Sequence, residues 1–229
     1  MALQTTDFCL IRKTQLTHDV FELIFSGPVW DAPKAGQYIM FVLPETKLRR
    51  SYSLASYENG EYTCIIKRLE DGQGGSKEIC DLPLGSCVPV IWPIGHFTLS
   101  EGDKTRAYIG TGTGFAPVYF QARSSVERGD RSKQIFVYGV RTEQDQFYLD
   151  QIAHLSNLSP EFSSCFYLSR PNSTSSSTNT GHVTAWITPE NIAGIEEFYL
   201  CGSPAMVKDA RARLEELGVP KECVKFEQF

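Results

Sequence analysis

The sequence predicts two domains, an antiparallel β-barrel followed by an α/β domain built on a parallel sheet. Residues 8–100 consist of short strand-like segments separated by turn residues, the pattern of an all-β domain. From residue 106 on, strand-like and helix-like segments alternate, which is typical of a parallel sheet covered by helices. The polar segment 100–105 separates the two patterns, so we expect domains at 1–101 and 102–229.

The first half is rich in β-branched and aromatic residues, and Gly, Pro and Asn mark its turns. Strands are predicted at 8–17, 20–25, 37–43, 51–55, 61–67 and 87–92, with one short helix at 76–81. Strands of this number and length, joined by short turns, favour a small closed barrel.

In the second half, strands are predicted at 107–109, 134–138, 164–168, 197–200 and 224–227, and helices at 117–126, 147–155, 182–187 and 205–217. The last helix is the best marked, because Pro204 precedes it and Gly218 follows it. The Ser-rich segment 169–181 is predicted to be a mobile loop.

Composition excludes several classes of protein. The chain has 229 residues, of which 41% are hydrophobic and 21% charged, so it can bury a core and is not disordered. Its net charge of −5 provides no basic excess for nucleic acid. No apolar run approaches the ~20 residues of a membrane helix. The first residues lack the basic start and apolar stretch of a signal peptide.

The seven cysteines form no Cys-x-x-Cys pair, which argues against zinc-ribbon and plant-type iron–sulfur sites. No two histidines have metal-ligand spacing, so no metal site is predicted. The odd, scattered set of cysteines also argues against a disulfide framework and favours the reducing cytoplasm.

A glycine-rich run at 110–114 (Gly-Thr-Gly-Thr-Gly) follows a predicted strand and opens a predicted helix. Glycines let a backbone approach a pyrophosphate, and a helix N-terminus offers free N–H groups. The spacing differs from the Gly-x-Gly-x-x-Gly of the usual dinucleotide fingerprint, and a turn without a ligand is the alternative.

Two segments of the barrel half are further candidates for phosphate binding. Alternation along the strand that starts at 50–53 (Arg-Ser-Tyr-Ser) puts Arg50 and Tyr52 on one face, where Arg can clamp a phosphate and Tyr can lie against a flat ligand. In the run 72–76 (Gly-Gln-Gly-Gly-Ser), Ser76 either caps the short helix or joins a second phosphate site. A surface Arg and a half-buried Tyr are the alternative for the first segment.

Two segments near the end of the sequence are also candidates. The run 201–204 (Cys-Gly-Ser-Pro) ends a predicted strand, where ligands bind in open α/β sheets. Because no His partner is evident, Cys201 is a poor candidate nucleophile, and a buried structural cysteine is the alternative. The pattern at 224–227 predicts a last strand that holds Glu227 and Phe229 in defined places.

In their order along the chain, these segments resemble the ferredoxin–NADP⁺ reductase superfamily, from Phe8 to Phe229. The matching segments are 50–53, 66–68 (Ile-Lys-Arg), 75–76, 93–97 (Pro-Ile-Gly-His-Phe), 110–117, 138–141 (Tyr-Gly-Val-Arg), 169–170 (Ser-Arg), 201–204 and 227–229 (Glu-Gln-Phe). The resemblance rests on their shared order, since each segment alone is a weak signal.

The resemblance implies a flavin in the barrel half. It implies that Arg50 binds the flavin pyrophosphate, that Tyr52 stacks on the isoalloxazine and that Ser53 lies near flavin N5, the hydride acceptor. The other residues implied to line the flavin or complete its pyrophosphate site are Ile66, Lys67, Gly74, Gly75 and Ser76. The Pro-x-Gly-x-Phe match at 93–97 favours FAD over FMN.

The resemblance also implies a nicotinamide dinucleotide in the second half. The residues implied to bind it through the glycine-rich segment are Gly110, Thr111, Gly112, Thr113 and Pro117. Cys201 and Gly202 are implied to lie beside the nicotinamide, with Cys201 positioning the ring rather than attacking it. Glu227 resembles an active-site carboxylate that acts with Ser53 and Cys201. Phe229 matches an aromatic residue that covers the flavin until the nicotinamide displaces it.

The resemblance leaves NADPH and NADH open as the hydride donor. Ser169 and Arg170 resemble the pair that grips the 2′-phosphate of NADPH, and Arg141 is a further candidate. Similar Ser-Arg pairs occur in NADH-linked oxygenase reductases, and the Ser-rich segment that follows carries no further Lys or Arg.

The implied activity is that of a flavoenzyme that passes electrons from NAD(P)H through FAD, one at a time, to a ferredoxin or flavodoxin. Lys47, Arg49, Lys67 and Arg68 are candidates for docking an acidic carrier. The alternatives are a free-flavin reductase, the reductase component of an oxygenase and a non-catalytic nucleotide-binding module. A cytoplasmic monomer is expected.

Overall fold

The computed structural model describes residues 4–29, 32–172 and 178–229. The chain divides between Leu99 and Ser100 into two compact units. Within the described residues, the first unit is a closed antiparallel barrel and the second is a parallel sheet flanked by helices. The predicted fold class is therefore confirmed, and the boundary at 101/102 stays a prediction.

The barrel consists of β1 (Gln4–Gln15), β2 (Val20–Ser26), β3 (Tyr38–Val42), β4 (Arg49–Glu58), β5 (Glu61–Lys67) and β6 (Cys87–Ile94), with α1 (Gly75–Asp81) before β6. Its strands close in the order β1-β2-β5-β4-β3-β6. Inward side chains alternate with outward ones along each strand and fill the interior. The largest fully buried side chains of this interior are Phe8, Phe25, Phe41, Tyr62 and Trp92.

A disulfide between Cys9 and Cys87 joins β1 to β6. The two residues lie directly opposite each other, with Cα atoms 4.0 Å apart, the close spacing of a pair that exchanges no backbone hydrogen bonds. The argument from the odd number of cysteines did not predict this bridge. Strand register brings the two residues together across 78 positions of sequence, and cysteine spacing carries no information about register. The other five cysteines are free.

The sheet of the second unit consists of β7 (Arg106–Thr111), β8 (Gln134–Val140), β9 (Phe162–Leu168), β10 (Asn179–Thr180), β11 (Glu197–Gly202) and β12 (Val224–Gln228). Its helices are α2 (Phe115–Glu127), α3 (Leu149–Leu158), α4 (Pro189–Ile192) and α5 (Pro204–Glu216). The strand order is β10-β9-β8-β7-β11-β12, so the direction of strand addition reverses between β7 and β11. Open parallel sheets bind ligands at such a switch point.

One prediction about this unit is wrong, and a second is wrong at one end of its segment. The helix predicted at 182–187 is a 3₁₀ turn, Val183–Trp186, whose two end residues pack into the core of the sheet. The segment predicted as a mobile loop contains β10, which extends the sheet by pairing with β9. Residues 173–177 of that segment lie outside the described residues. Across the described ranges, no helix is long and apolar enough to cross a membrane.

A buried ion cluster lies where β7 and β11 begin. The Arg106 guanidinium is fully buried and donates to Asp130 at 2.6 Å and to Glu197 at 3.1 Å. Lys104 also donates to Glu197, at 2.9 Å, as does the Ser100 hydroxyl. Burial by itself would raise the pKa of Glu197, but these hydrogen bonds outweigh it and lower the pKa to about 2. The cluster thereby fixes the segment before β7 to the sheet.

The disulfide predicts a specific thiol count. In denaturant without reductant, we expect five of the seven cysteines to react with a thiol reagent, and all seven after reduction. Cys87→Ser should free Cys9, raise the count without reductant to six and lower stability by about 2–4 kcal/mol, since the unfolded chain gains conformational entropy when it is no longer cross-linked. The matched control, Cys223→Ser, should give four. A count of seven before reduction would contradict the bridge.

The ion cluster predicts a pH-dependent stability. Because the pKa of Glu197 is lowered, its charge stabilises the fold in full above pH 4.5, which is the ordinary pKa of a glutamate side chain. This stabilisation is lost as the pH falls toward 2, the pKa in the folded protein. Glu197→Gln should therefore cost about 3 kcal/mol at pH 7 and less than half of that at pH 3. Thermal melts at both values measure the difference, with the exposed Glu222→Gln as control. A cost that does not change with pH would show that the charge contributes nothing.

Candidate functional site

In the barrel unit, Arg50 lies beside the first residues of α1. Its Nη2 donates to the Gln73 side chain at 2.5 Å. A Cβ added at Gly75 would come within 2.8 Å of the Arg50 side chain, so only glycine leaves room for the guanidinium. Gly74 ends the preceding turn with a positive φ of 88°. A cation beside a side-chain-free backbone fits a pyrophosphate group, as the sequence predicts for Arg50, Gly74 and Gly75.

Ser76 does not cap α1. It is the second residue of the helix, and Gly74 holds the N-cap position without a side-chain hydrogen bond. The Ser76 hydroxyl instead accepts a hydrogen bond from the Leu69 N–H at 3.1 Å. The capping interpretation is therefore wrong, because the helix begins one residue earlier than predicted. Ser76 ties the segment after β5 to the beginning of α1.

Tyr52 follows Arg50 on the same face of β4, and both are more buried than Ser51 between them. The Tyr52 ring lies 6.0 Å from the Phe41 ring, and burial raises the pKa of its phenol, which stays protonated. Ser53 is paired with Tyr38 on β3. The roles of Tyr52 and Ser53 toward a flavin stay predictions.

The end of β5 carries two further predicted flavin contacts. Ile66 is buried, whereas the Lys67 side chain is partly exposed and pairs with Asp19 at 2.7 Å. The Asp19 carbonyl also accepts a hydrogen bond from the Arg68 N–H at 2.7 Å. The backbone at this point is therefore held by the β1–β2 turn, and the contacts of Ile66 and Lys67 with a flavin stay predictions.

Gly95, in the 93–97 segment, is required by the backbone conformation of its own turn. Gly95 has a φ of +108°, which L side chains rarely adopt, and a Cβ there would lie 3.0 Å from the Tyr38 ring. Phe97 is buried. This turn therefore depends on glycine for its shape, which accounts for part of the Pro-x-Gly-x-Phe match without a ligand.

In the second unit, parallel register places four predicted or matched residues in one row across the sheet. Gly110 on β7 is paired with Tyr138 on β8 on one side and with Cys201 on β11 on the other. Cys201 is paired in turn with Glu227 on β12. All four stand close to the C-terminal ends of their strands, at the switch point.

The glycine-rich run serves packing as well as access. A Cβ at Gly110 would lie 2.9 Å from Val118, and one at Gly114 would lie 2.4 Å from the Cys201 carbonyl oxygen. Gly112 differs, because open space surrounds its Cβ position and its φ of +55° alone favours glycine. Gly112 is therefore the member of the run whose backbone is accessible to a ligand.

The same run is in contact with the turn after β11. A Cβ at Gly202 would overlap Thr111 Oγ1, so the Gly202 backbone packs directly against the Thr111 side chain. Thr113 is half-buried, and Pro117 lies in the first turn of α2, as predicted. The run 110–114 and the turn 201–202 thus form one packed surface.

Cys201 and Glu227 form a pair in which the thiol keeps its proton. Cys201 is fully buried, and this burial, with the neighbouring Glu227 charge, raises the pKa of the thiol well above its ordinary value. A protonated thiol is a poor nucleophile, which agrees with a positioning role.

The Phe229 N–H donates to the Gly202 carbonyl at 3.3 Å, while the Phe229 ring is mostly exposed. The role of Phe229 toward the flavin stays a prediction.

Arg141, Ser169 and Arg170 come together just beyond β8 and β9. The Arg170 N–H donates to the Arg141 carbonyl at 2.7 Å, and the Ser169 N–H donates to the Val140 carbonyl at 3.1 Å. Both arginines are exposed. Among the residues that the structure describes, neither guanidinium forms an ion pair. Two cations and a hydroxyl-bearing residue therefore share one edge of the sheet, as a 2′-phosphate site requires.

Two of the predicted docking cations are already neutralised. Lys67 pairs with Asp19, and the Arg68 guanidinium donates to Asp81 at 2.9 Å and also to Glu70. Lys47 Nζ donates to the Pro44 carbonyl at 2.6 Å and forms no close ion pair among the described residues, although its charge helps to lower the pKa of Glu78. Any docking of an acidic carrier in this region depends more on Lys47 and Arg49 than on Lys67 and Arg68.

Sequence reasoning missed three side chains that shape the site. Gln73 binds Arg50, Tyr38 packs against Gly95, and the Tyr138 hydroxyl donates to the Gly112 carbonyl at 3.2 Å. Gln73 and Tyr138 lie inside segments that the sequence analysis singled out, but nothing in the sequence specified their partners. No cluster of His, Cys, Asp and Glu suited to a metal ion occurs among the described residues.

Comparison with known proteins identifies both units. Residues 7–99 match the oxidoreductase FAD-binding domain, and residues 108–212 match the oxidoreductase NAD-binding domain. The reductase component of propane 2-monooxygenase from Rhodococcus jostii (strain RHA1) is 32% identical over 95% of this chain, which spans 62% of that relative's length. Ferredoxin–NADP reductase B from Sorangium cellulosum (strain So ce56) is 30% identical over 86% of this chain and 85% of its own length.

A solved structure agrees with these relatives. The crystal structure of the Amycolatopsis cytochrome P450 reductase GcoB superposes with a TM-score of 0.91 at 25% identity, covering 99% of this chain and 70% of that protein. With two family domains matched in the expected order, the chain belongs to the ferredoxin–NADP⁺ reductase superfamily, as an FAD-binding barrel followed by an NAD-binding domain.

Proposed function

We propose that the chain is an electron-transfer flavoenzyme that oxidises NAD(P)H and reduces a one-electron carrier protein of the ferredoxin or flavodoxin type. The observation that carries the proposal is the row formed by Gly110, Cys201 and Glu227 at the switch point of the NAD-binding domain. A silent nucleotide-binding module needs neither the buried thiol nor the carboxylate beside it, so this row favours an active reductase.

When bound, FAD takes two electrons from the nicotinamide and gives them up one at a time. The chain's own residues bind and orient the two partners. In this proposal, Arg50 neutralises the flavin pyrophosphate against the backbone of Gly74 and Gly75, and Tyr52 presents its ring to the isoalloxazine. Cys201 Sγ holds its proton and packs beside the nicotinamide, so that the ring meets a neutral surface.

Other residues complete the proposed binding sites. Ser53, Ile66, Lys67 and Ser76 line the flavin, and Phe229 covers it. On the nucleotide side, Glu227 supplies a charge beside Cys201, while Gly202 leaves space for the ligand. The residues that contact the dinucleotide phosphates are Gly110, Thr111, Gly112, Thr113 and Pro117. We place the FAD domain at 1–101 and the NAD(P) domain at 102–229.

A second candidate function is the reductase component of an oxygenase. The similarity to the propane 2-monooxygenase reductase component, over 95% of this chain, favours it. The chain spans 62% of that relative's length, and in such a system its electrons would pass on toward the oxygenase. Both candidates share the NAD(P)H and FAD half of the reaction and differ only in the acceptor.

The proposal includes a monomeric protein in the cytoplasm. The five free cysteines favour a reducing compartment, whereas the Cys9–Cys87 bridge is the feature that opposes it. Alkylation of thiols in intact cells before lysis tests the location, since a bridge that is largely oxidised in growing cells would indicate an oxidising compartment. Gel filtration tests the monomer.

The first test is an anaerobic titration of gel-filtered protein with NADH and, separately, with NADPH, followed by flavin absorbance. We expect a yellow protein whose flavin absorbance bleaches with at least one nucleotide and recovers on addition of an oxidised ferredoxin or flavodoxin. A colourless protein that turns over only when FAD is supplied would instead indicate a free-flavin reductase. A protein that oxidises NAD(P)H but reduces no acidic carrier would favour the oxygenase component.

The same titration on two variants tests the flavin site. Arg50→Ala should weaken FAD binding about 10- to 100-fold, because it removes charge-assisted hydrogen bonds to the pyrophosphate. Arg49→Ala, one position earlier on β4 and exposed, removes the same charge and should retain FAD. Equal FAD loss in the two variants would mean that Arg50 acts only through the overall charge.

The two arginines beyond β8 and β9 predict coenzyme choice. Replacing both Arg141 and Arg170 with Ala should lower the ratio of kcat/KM for NADPH over NADH about tenfold or more, since the 2′-phosphate loses its cations. The control, Arg131→Ala, removes a cation at the opposite end of β8 and should leave the ratio unchanged. An unchanged ratio in the double variant would remove Arg141 and Arg170 from the nucleotide site.

A further inference from the structure

Tyr138 connects the core of the NAD-binding domain to the glycine-rich run. Its ring is buried on β8, with the Phe115 ring edge-on at 4.9 Å and the Phe147 ring at 5.7 Å. Its hydroxyl leaves this aromatic cluster and donates to the Gly112 carbonyl at 3.2 Å. Burial raises the pKa of Tyr138 well above its ordinary value, so the hydroxyl keeps the proton that it donates.

The Gly112 carbonyl receives a second hydrogen bond, from the Phe115 N–H at the start of α2. Both donors belong to the packed interior, so the carbonyl points toward the domain core. In a trans peptide the N–H of the next residue points the opposite way. The Thr113 N–H therefore points away from Tyr138, on the outer side of the run.

The backbone at Gly112 needs such a restraint. Glycine adopts a φ of +55° as readily as a negative φ, so the backbone of Gly112 has no strong preference of its own for this conformation. Open space surrounds its Cβ position, so no neighbouring side chain fixes the residue by contact. Gly110 and Gly114, by comparison, are fixed by close packing against Val118 and Cys201. The two hydrogen bonds on the carbonyl thus hold the one loosely packed peptide of the run.

We propose that Tyr138 is a positioning residue for the dinucleotide: its hydroxyl fixes the Gly112–Thr113 peptide so that the Thr113 N–H is presented to the pyrophosphate of NAD(P)H. The inference rests on the proposed nucleotide site and adds to it a residue that does not touch the nucleotide. A preset N–H spares the ligand the cost of ordering the loop, and Tyr138 therefore acts on affinity rather than on the rate at saturation.

The alternative is that Tyr138 donates to Gly112 only to satisfy a buried hydroxyl. Tyr108, on the neighbouring strand β7, provides the matched control, because its buried hydroxyl donates to the Gln134 side-chain oxygen at 2.8 Å and accepts from the Ser125 hydroxyl at 3.1 Å. Tyr108→Phe removes the same group from the same domain core and leaves the glycine-rich run intact.

The test compares Tyr138→Phe and Tyr108→Phe with the wild-type chain. Calorimetry gives the Kd of NAD⁺, NADP⁺ and ADP-ribose, none of which reduces the flavin, and stopped-flow absorbance gives the rate of flavin bleaching at saturating NADH or NADPH. For Tyr138→Phe we expect every Kd to rise about five- to tenfold, the effect of one lost hydrogen bond, with the FAD content and saturating rate within twofold of wild type. For Tyr108→Phe we expect every Kd within twofold.

Two results would overturn the inference and leave the proposed function standing: wild-type affinity in Tyr138→Phe, or an equal loss of affinity in Tyr108→Phe. If the wild-type chain binds neither nucleotide nor ADP-ribose, the proposed function fails and the inference fails with it. The Kd of adenosine, measured by the same calorimetry, adds a further check, because adenosine lacks the pyrophosphate. An equal loss of adenosine affinity in Tyr138→Phe would show a general disturbance of the domain and would also overturn the inference.

Discussion

Backbone hydrogen bonding between parallel strands determines the candidate site of the second unit. The register of β8, β7, β11 and β12 places Tyr138, Gly110, Cys201 and Glu227 in a single row, although they are spread from position 110 to position 227 of the sequence. A shift of one residue in any pairing would move a side chain to the other face of the sheet. The chemistry of the site therefore depends on the same hydrogen bonds that build the sheet.

Close backbone contact is the second constraint. At Gly114 and Gly202 a single added carbon would meet the Cys201 carbonyl or the Thr111 side chain, so these glycines let two segments share one surface. At Gly75 the same absence of a Cβ makes room for Arg50 in the barrel. In both units, glycine serves the protein's own packing, and in the proposed function it also lets a ligand approach, so a sequence motif does not separate the two roles.

Stability and function occupy opposite ends of the parallel sheet. The buried cluster of Arg106, Asp130 and Glu197 lies where the strands begin, and the glycine-rich run, Cys201 and Glu227 lie where they end. These strong ion pairs fix the beginning of the sheet, at the end away from the proposed nicotinamide site. At the other end, burial keeps Cys201 neutral and leaves hydrogen-bonding groups such as the Gly112–Thr113 peptide to be oriented by neighbours such as Tyr138.

The sequence by itself determined the two-domain architecture, the strands with strong alternation, the helices with end signals and the segments that we propose to bind the cofactors. These depend on local patterns and on the order of motifs along the chain. Only the tertiary structure decided the Cys9–Cys87 bridge, the cap of α1, the 3₁₀ turn Val183–Trp186 and the pairings of Arg50 with Gln73 and of Tyr138 with Gly112. Each of these depends on strand register or on contacts between distant segments, which local sequence patterns do not encode.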